Sequence, residues 1–254
     1  MLKNRLIAVI LVRDGKVVQS VKFKHTNVIH YDPIHAIESF NRWAIDEIVV
    51  LNVSKEESSK DNFINIVNNI SSSCFVPMAV GGWITELDYA KGLLANGADK
   101  IIVNTSAFYN PKFISDLAMK FGNQCVVVSI DAKRDESGNE LVTIDKGSKI
   151  TNKSATDWAK EAEKCGAGEL FINSIDFDGN RKGYNKELIK EVSKNVSIPV
   201  IAMGGVFKWE HLAEGVIECN ADAVAAANIF HYTEQSTRKA KKFLIEAGLN
   251  FRKI

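Results

Sequence analysis

The sequence lacks any apolar stretch long enough to cross a bilayer. Its strongest early run, Leu6 to Val12, is short and is followed at once by Arg13, Asp14 and Lys16. It also lacks paired cysteines and any CxxC spacing: Cys74, Cys125, Cys165 and Cys219 are scattered, as buried thiols of a reducing compartment are. Excess charge of one sign is missing too. The 32 Lys and Arg residues balance 31 Asp and Glu to a net +1, which gives no electrostatic reason to expect nucleic acid or an anionic membrane as partner. No metal-ligand spacing stands out, and neither a metal nor a cofactor is expected. The expectation is a cytoplasmic protein.

What is present is regular alternation. At 254 residues and 46% hydrophobic content, the chain has the length and apolar supply of one (β/α)8 barrel. Strand-like runs are expected at Leu6–Val12, Glu47–Asn52, Val76–Val80, Lys100–Asn104, Cys125–Asp131, Glu169–Asn173, Ile198–Met203 and Ala223–Ala227. Helical spacing follows each. Asp32-Pro33, Thr85, Asn110-Pro111, Ser154 and Asn185 read as helix starts, and Gly97 and Gly248 as stops. Eight such units favour a closed parallel barrel over an open, doubly wound sheet. The one long insertion, 135–153, is rich in Gly, Ser, Asn and Lys and reads as a loop on the catalytic face.

The chain also repeats itself. Gly81-Gly82 precedes Gly97-Ala98-Asp99 by sixteen residues, as Gly204-Gly205 precedes Asn220-Ala221-Asp222. Asp46-Glu47 and Gly168-Glu169 open corresponding strands. Residues 1–254 therefore read as one barrel made of two half-barrels, about 1–122 and 123–254.

Chemistry is expected where strands emerge. Cys125 to Ile130 is a run suited to a strand buried on both faces, yet it ends on Asp131, which belongs at the mouth of the barrel. Its half-barrel mate falls at Leu11, where a second carboxylate would complete an acid–base pair. Asp14 is a distant substitute. The glycine pairs Gly81-Gly82 and Gly204-Gly205 allow backbone N–H groups to approach an anion. Asp176, Asp178 and Gly179 follow strand six and are polar enough to line the same mouth. At the opposite end, Arg5, Glu47, Lys100 and Glu169 start strands one, two, four and six, and fit a ring of ion pairs closing the floor.

These strings together resemble the cyclase subunit of imidazole glycerol phosphate synthase over essentially the whole chain. They are Arg5-Leu6-Ile7-Ala8, Ile45-Asp46-Glu47, Gly97-Ala98-Asp99-Lys100, Phe121-Gly122-Asn123-Gln124, Val128 to Arg134, Gly166-Ala167-Gly168-Glu169 and Ser174 to Gly179. The resemblance implies a barrel whose floor docks a glutaminase and whose interior conducts ammonia to a doubly phosphorylated small molecule at the mouth. It implies that Asp131 is one of two catalytic aspartates and that Asn104 and Asn228 stand among the phosphate-binding positions. It further implies that Arg5, Glu47, Lys100 and Glu169 form the ammonia gate, and that Asp99 and Gln124 face the glutaminase. Departures gather at the mouth: Leu11, Gln19, Asn52, Trp83, Asn180, Met203 and Asn228 replace residues of that pattern, while the gate is intact.

The expectation is thus a divergent cyclase-type subunit that binds a glutaminase and channels ammonia, with its cyclase activity in doubt. Surface-sugar amidation is the implied setting, with a sugar amidotransferase as a further partner. The alternatives are an authentic histidine-pathway cyclase, with Asp14 or Asp178 assisting Asp131, and a non-catalytic regulatory barrel.

Overall fold

The computed structural model describes residues 3–232 and 234–254. In chain order its elements are β1 (Arg5–Arg13), β2 (Lys16–Val21), β3 (His25–His30), α1 (Ile34–Arg42), β4 (Glu47–Asn52), α2 (Lys60–Ser71), β5 (Met78–Gly81), α3 (Leu87–Ala95), β6 (Lys100–Val103), α4 (Thr105–Tyr109) and α5 (Lys112–Phe121). They continue as β7 (Val126–Arg134), β8 (Glu140–Ile144), β9 (Lys149–Ser154), α6 (Ala155–Lys164), β10 (Glu169–Ser174), α7 (Lys186–Asn195), β11 (Val200–Met203), α8 (Trp209–Ile217), β12 (Ala223–Ala226) and α9 (Ser236–Glu246). Strands β1, β4, β5, β6, β7, β10, β11 and β12 pair in parallel in that order, and β12 returns to β1. The fold is a closed (β/α)8 barrel.

Alternation of side chains across each strand builds two apolar regions. Outward residues such as Leu6, Ile48, Val80, Ile101 and Val128 pack under the helices. Inward residues such as Ile7, Val9, Val49, Ile102, Val127 and Phe171 fill the barrel.

Both halves use one register. Ile7 lies beside Glu47 and Leu11 beside Leu51 in the β1–β4 pair. Val127 lies beside Glu169 and Asp131 beside Asn173 in the β7–β10 pair. Aligning the pairs sets Leu11 on Asp131. It also shifts the glycine equivalence by one residue. Leu51 pairs with Gly81 while Asn173 pairs with Met203, so Gly82-Trp83, not Gly81-Gly82, matches Gly204-Gly205.

Three features depart from the sequence expectation. The segment 135–153 is not an open loop: β8 and β9 form an antiparallel hairpin on β7. Glu140 to Ile144 is β-branched enough to pair, and Gly147, at φ +80°, completes the turn. The polar stretch after the first strand is likewise a ribbon, β2 and β3, on β1. The fourth unit carries two helices because Asn110, before Pro111, is pushed out of the helical region to φ −135°, ψ 84°.

Candidate active site

Asp131 lies on the inward face of β7, where the strand leaves the barrel and begins to pair with β8. Its Oδ2 accepts from Asn104 Nδ2 at 2.7 Å and its Oδ1 from Asn173 Nδ2 at 3.2 Å. Burial pushes the carboxyl up to about 6, against the pull of the two amide donors. Asn104 therefore orients Asp131 with its side chain. Asp178, in the turn after β10, is buried, and its Oδ2 has no hydrogen-bond partner among the described residues. Burial again pushes it up to about 6; the N–H groups of Lys22 and Phe23 oppose this, and the charge of Asp131 adds to it. Two carboxyls of raised proton affinity thus stand at the mouth, and the charge of Asp131 adds to the rise at Asp178.

Leu11 brings no polar atom there. With Leu51 it packs on the apolar filling of the barrel. Asp14 lies in the β1–β2 turn at φ +50°, its side chain 73% exposed and 3.8 Å from Arg13 Nε. Asp176 turns toward the β7–β8 ribbon, where its Oδ2 accepts from the Arg134 N–H at 3.0 Å.

The second half presents a cleft of about 440 Å³ whose lining includes Asp178, Gly179, Gly204, Gly205 and Asn228. Gly204 and Gly205 have φ of +102° and +85°, and a Cβ on Gly205 would meet Gly183 O at 2.1 Å, so bare backbone is required there. Arg181 stacks over Phe207 at the rim, 4.9 Å from the ring centre. Met203 lines the same cleft. Asn228 Nδ2 donates to Ser20 O at 3.2 Å, while its Oδ1 has no partner among the described residues.

The first half is arranged differently. Gly82, at φ +113°, is followed by Trp83 at φ +58°, left-handed backbone that a bulky side chain rarely adopts. The indole Nε1 donates to Ser54 O at 3.1 Å. Lys146, from the β8–β9 turn, holds its ammonium 3.9 Å from the ring centre and donates to Lys55 O at 2.8 Å. The adjacent Asp145 N–H donates to Thr105 Oγ1 at the start of α4, at 3.0 Å. Gly81, a residue earlier, packs in β5 against Ile102 and Leu51.

The remaining departures are engaged locally. Asn52 bonds Ser59 and the Ser54 N–H, Asn180 bonds Asp176 O and the Lys182 N–H, and Gln19 accepts from Tyr232. Lys146 and Asp145 were not picked out from the sequence. The turn signal Asp145-Lys146-Gly147 was present, but nothing local says which part of the mouth the turn reaches.

At the floor, four charges close a ring. Arg5 Nη1 lies 2.6 Å from Glu47 and 3.0 Å from Glu169, and Lys100 Nζ lies 2.9 Å and 3.1 Å from the same two carboxylates. Each cation touches both anions, and Glu47 is 1% exposed. The Arg5 guanidinium, opposed by burial, is raised by its two carboxylate neighbours. Asp99 and Gln124 are exposed on this face. Asp99 also accepts the Met78 N–H at 2.8 Å, as Asp46 accepts that of Leu6 and Asp222 that of Val200. In the fourth such position stands Gly168, because a Cβ there would meet Asn123 O at 2.1 Å.

Among the described residues no three His, Cys, Asp or Glu are grouped to hold a metal ion, and no helix is long and apolar enough to cross a membrane.

Known proteins resemble this chain over nearly its whole length. The family described as "Histidine biosynthesis protein" matches residues 5–236. A Vibrio vulnificus (strain YJ016) protein provisionally named imidazole glycerol phosphate synthase subunit hisF2 is 42% identical over 256 residues, covering 99% of this chain and 92% of that protein. The imidazole glycerol phosphate synthase subunit HisF of Bacillus licheniformis is 40% identical over 253 residues, covering 99% of this chain and 100% of that protein.

Proposed function

The chain belongs to the histidine biosynthesis protein family, and from that premise we propose that it is a cyclase-type subunit that docks a glutaminase on its floor and conducts ammonia through its barrel. One observation carries the reading: the four-charge ring at the floor is complete while the mate of Asp131 at the mouth is Leu11. Above the ring the barrel is lined by apolar side chains, which suit passage of neutral ammonia and disfavour ammonium. Phe75, in the α2–β5 connection, and Met119, in the last turn of α5, lie toward this end and are each 84% exposed, as an unoccupied docking face requires.

The mouth, on this reading, no longer closes an imidazole ring at a metabolic rate. Loss of one general acid or base removes ~10²–10⁴ in rate, roughly 3–5 kcal/mol of barrier. Ammonia leaving the mouth then serves another acceptor, such as the substrate of a sugar amidotransferase in surface-sugar synthesis. The barrel functions in the cytoplasm in this scheme.

A second reading is favoured by Asp178. Its carboxyl is held near the same proton affinity as Asp131 and responds to that group's charge, so it is the side chain placed to act as the second acid or base of an authentic cyclase.

The deciding experiment supplies the isolated chain with the synthase's cyclase substrate and excess ammonium salt. No turnover by folded protein is the expected result. Turnover at ordinary enzymatic rates, abolished by Asp178→Asn, would establish the second reading. Stimulation of a glutaminase of this synthase type tests the floor. Lys100→Glu should leave glutamine hydrolysis stimulated but uncouple ammonia delivery; stimulation of the glutaminase with no ammonia delivered through the unaltered chain would leave only a regulatory barrel.

A further inference from the structure

The cleft in the second half of the mouth is walled by two distant parts of the chain. One wall is the β2–β3 ribbon, through Gln19 and Val21, and the other is the 3₁₀ turn Asn228–His231 after β12, continued by Tyr232. Three contacts tie the walls together. Asn228 Nδ2 donates to Ser20 O, Tyr232 Oη donates to Gln19 Oε1 at 2.6 Å, and the His231 ring lies against that of His30, with 5.5 Å between ring centres. His30 is the last residue of β3 and pairs with Val17, so this contact grips the ribbon at its base. The tip is gripped separately: Asp178 accepts the N–H groups of Lys22 and Phe23.

Around the two histidines, only the Val9 carbonyl among the described residues favours a positive charge; it accepts from the His231 imidazole just past the last β1–β12 pair. Phe40 of α1 packs on the same ring, with 5.3 Å between centres. His35, in the first turn of α1, bears on His30 as a like charge, and His30 bears so on His231. The carboxylates closest in sequence, Asp32 and Glu234, are exposed, and Asp32 is turned to the Ile34 N–H at 2.9 Å. Lys16, beside the base of the ribbon, holds its ammonium 5.4 Å from the centre of the Tyr31 ring. Burial first, and then the like charges, lowers both histidines, His231 to about 4.

We propose that His30 and His231 form an acid-released clasp that holds the β2–β3 ribbon on the turn after β12 and, on protonation, lets the ribbon swing away from the cleft. Neutral, the two rings pack as aromatics. Protonated, each is a cation in a largely apolar contact, and two cations 5.5 Å apart repel. Parting returns both rings to water, where an imidazole has its ordinary proton affinity. The open form therefore binds protons more tightly than the closed form, and opening is favoured as pH falls from 6.5 toward about 4. For His231 alone the open-to-closed ratio should rise about 20-fold between pH 7 and pH 5. The pairing of β1 with β2, Leu11 beside Val18 and Val12 beside Val17, serves as the hinge. Asp178 loses its charge over an overlapping range, so its grip on the tip is the competing source of an acid response.

The test is hydrogen–deuterium exchange of the full-length chain at pH 7 and pH 5, with rates corrected for the intrinsic effect of pH on exchange. Amides of β2 and β3 should lose about 20-fold in protection at pH 5, while those of β4 and β7 keep theirs. Unchanged protection in the ribbon, or a loss shared by β4 and β7, would overturn the proposal. His30→Phe keeps a ring against His231, and His231→Gln keeps an N–H for the Val9 carbonyl. The double variant should hold the ribbon equally at both pH values. If its ribbon still opens at pH 5, Asp178 governs the motion and the clasp is wrong. Should the double variant not fold, the imidazole proton shifts of the parent chain decide. His30 and His231 must then titrate below the usual imidazole range, and ordinary titration of both overturns the clasp.

Discussion

Leu11 and Asp131 occupy the same place in the two halves of the barrel, one strand position above Val9 or Ser129 on the inward face, with Leu51 and Asn173 as their equivalent neighbours. The pseudo-symmetry that elsewhere preserves Glu47 opposite Glu169 is broken at this level. Restoring it is expected to be costly. Leu11→Asp sets a carboxyl on an apolar patch with Leu51, so its folded-state pKa rises and the ionised form destabilises the fold. Urea unfolding should show a loss of about 1–3 kcal/mol near neutral pH, shrinking in acid as the new group protonates. Equal stability at both pH values would mean that water reaches this position freely.

The barrel itself was legible because each strand is a short apolar run between helices with ordinary start and stop signals. Ser154 and Asn185 do cap α6 and α7, accepting the N–H groups of Asp157 and Leu188. The floor charges were legible as well, since a strand's first inward residue is fixed by alternation alone. The mouth was less so. Its ribbons are polar, their pairing depends on contacts distant in sequence, and the meeting of Lys146 with Trp83 joins the turn after β5 to the hairpin on β7. The glycine pairs misled by one residue, because Gly81 ends β5 while Gly82 begins the turn. Only the strand register resolves that.

The floor ring makes a stability prediction of its own. Lys100 is shared by Glu47 and Glu169, so Lys100→Met leaves two carboxylates facing one Arg5. Breaking such a pair should cost about 2–4 kcal/mol in chemical denaturation, since the anions remain largely out of water. Adding Glu169→Gln should recover part of the loss, because the remaining Arg5–Glu47 pair is then balanced. Additive losses in the double variant would show the ring to be four independent surface charges.

Asp99 has one observed role and one proposed, and comparison with Asp222 separates them. Each accepts the N–H of the first residue of a neighbouring strand, Met78 or Val200. Substitution by Ala should therefore lower stability alike in both, by about 1–2 kcal/mol. Glutaminase affinity should fall for Asp99→Ala and hold for Asp222→Ala if Asp99 meets the partner. A similar drop in both would assign the effect to the shared strand anchor.

Asp131 also sets the direction of a pH dependence. Its carboxyl rises from 3.8 to about 6 in the folded chain, so between those values the folded state holds more proton than the unfolded state. Stability then falls as pH rises through this window, and it is lowest, as far as this group is concerned, once Asp131 is fully ionised. Asp131→Asn removes the charge and keeps a carbonyl oxygen for Asn104. The Oδ1 of Asn173, unpartnered among the described residues, becomes an acceptor for the new amide if the side chain turns over. The variant should be more stable than the parent by about 1–3 kcal/mol above neutral pH and converge with it below about pH 4. Asp178 contributes in the same sense, and loses part of its own upward push when the neighbouring charge is gone. A variant less stable than the parent at every pH would mean that Asp131 is held as a carboxylate by stronger donors than its two amide neighbours.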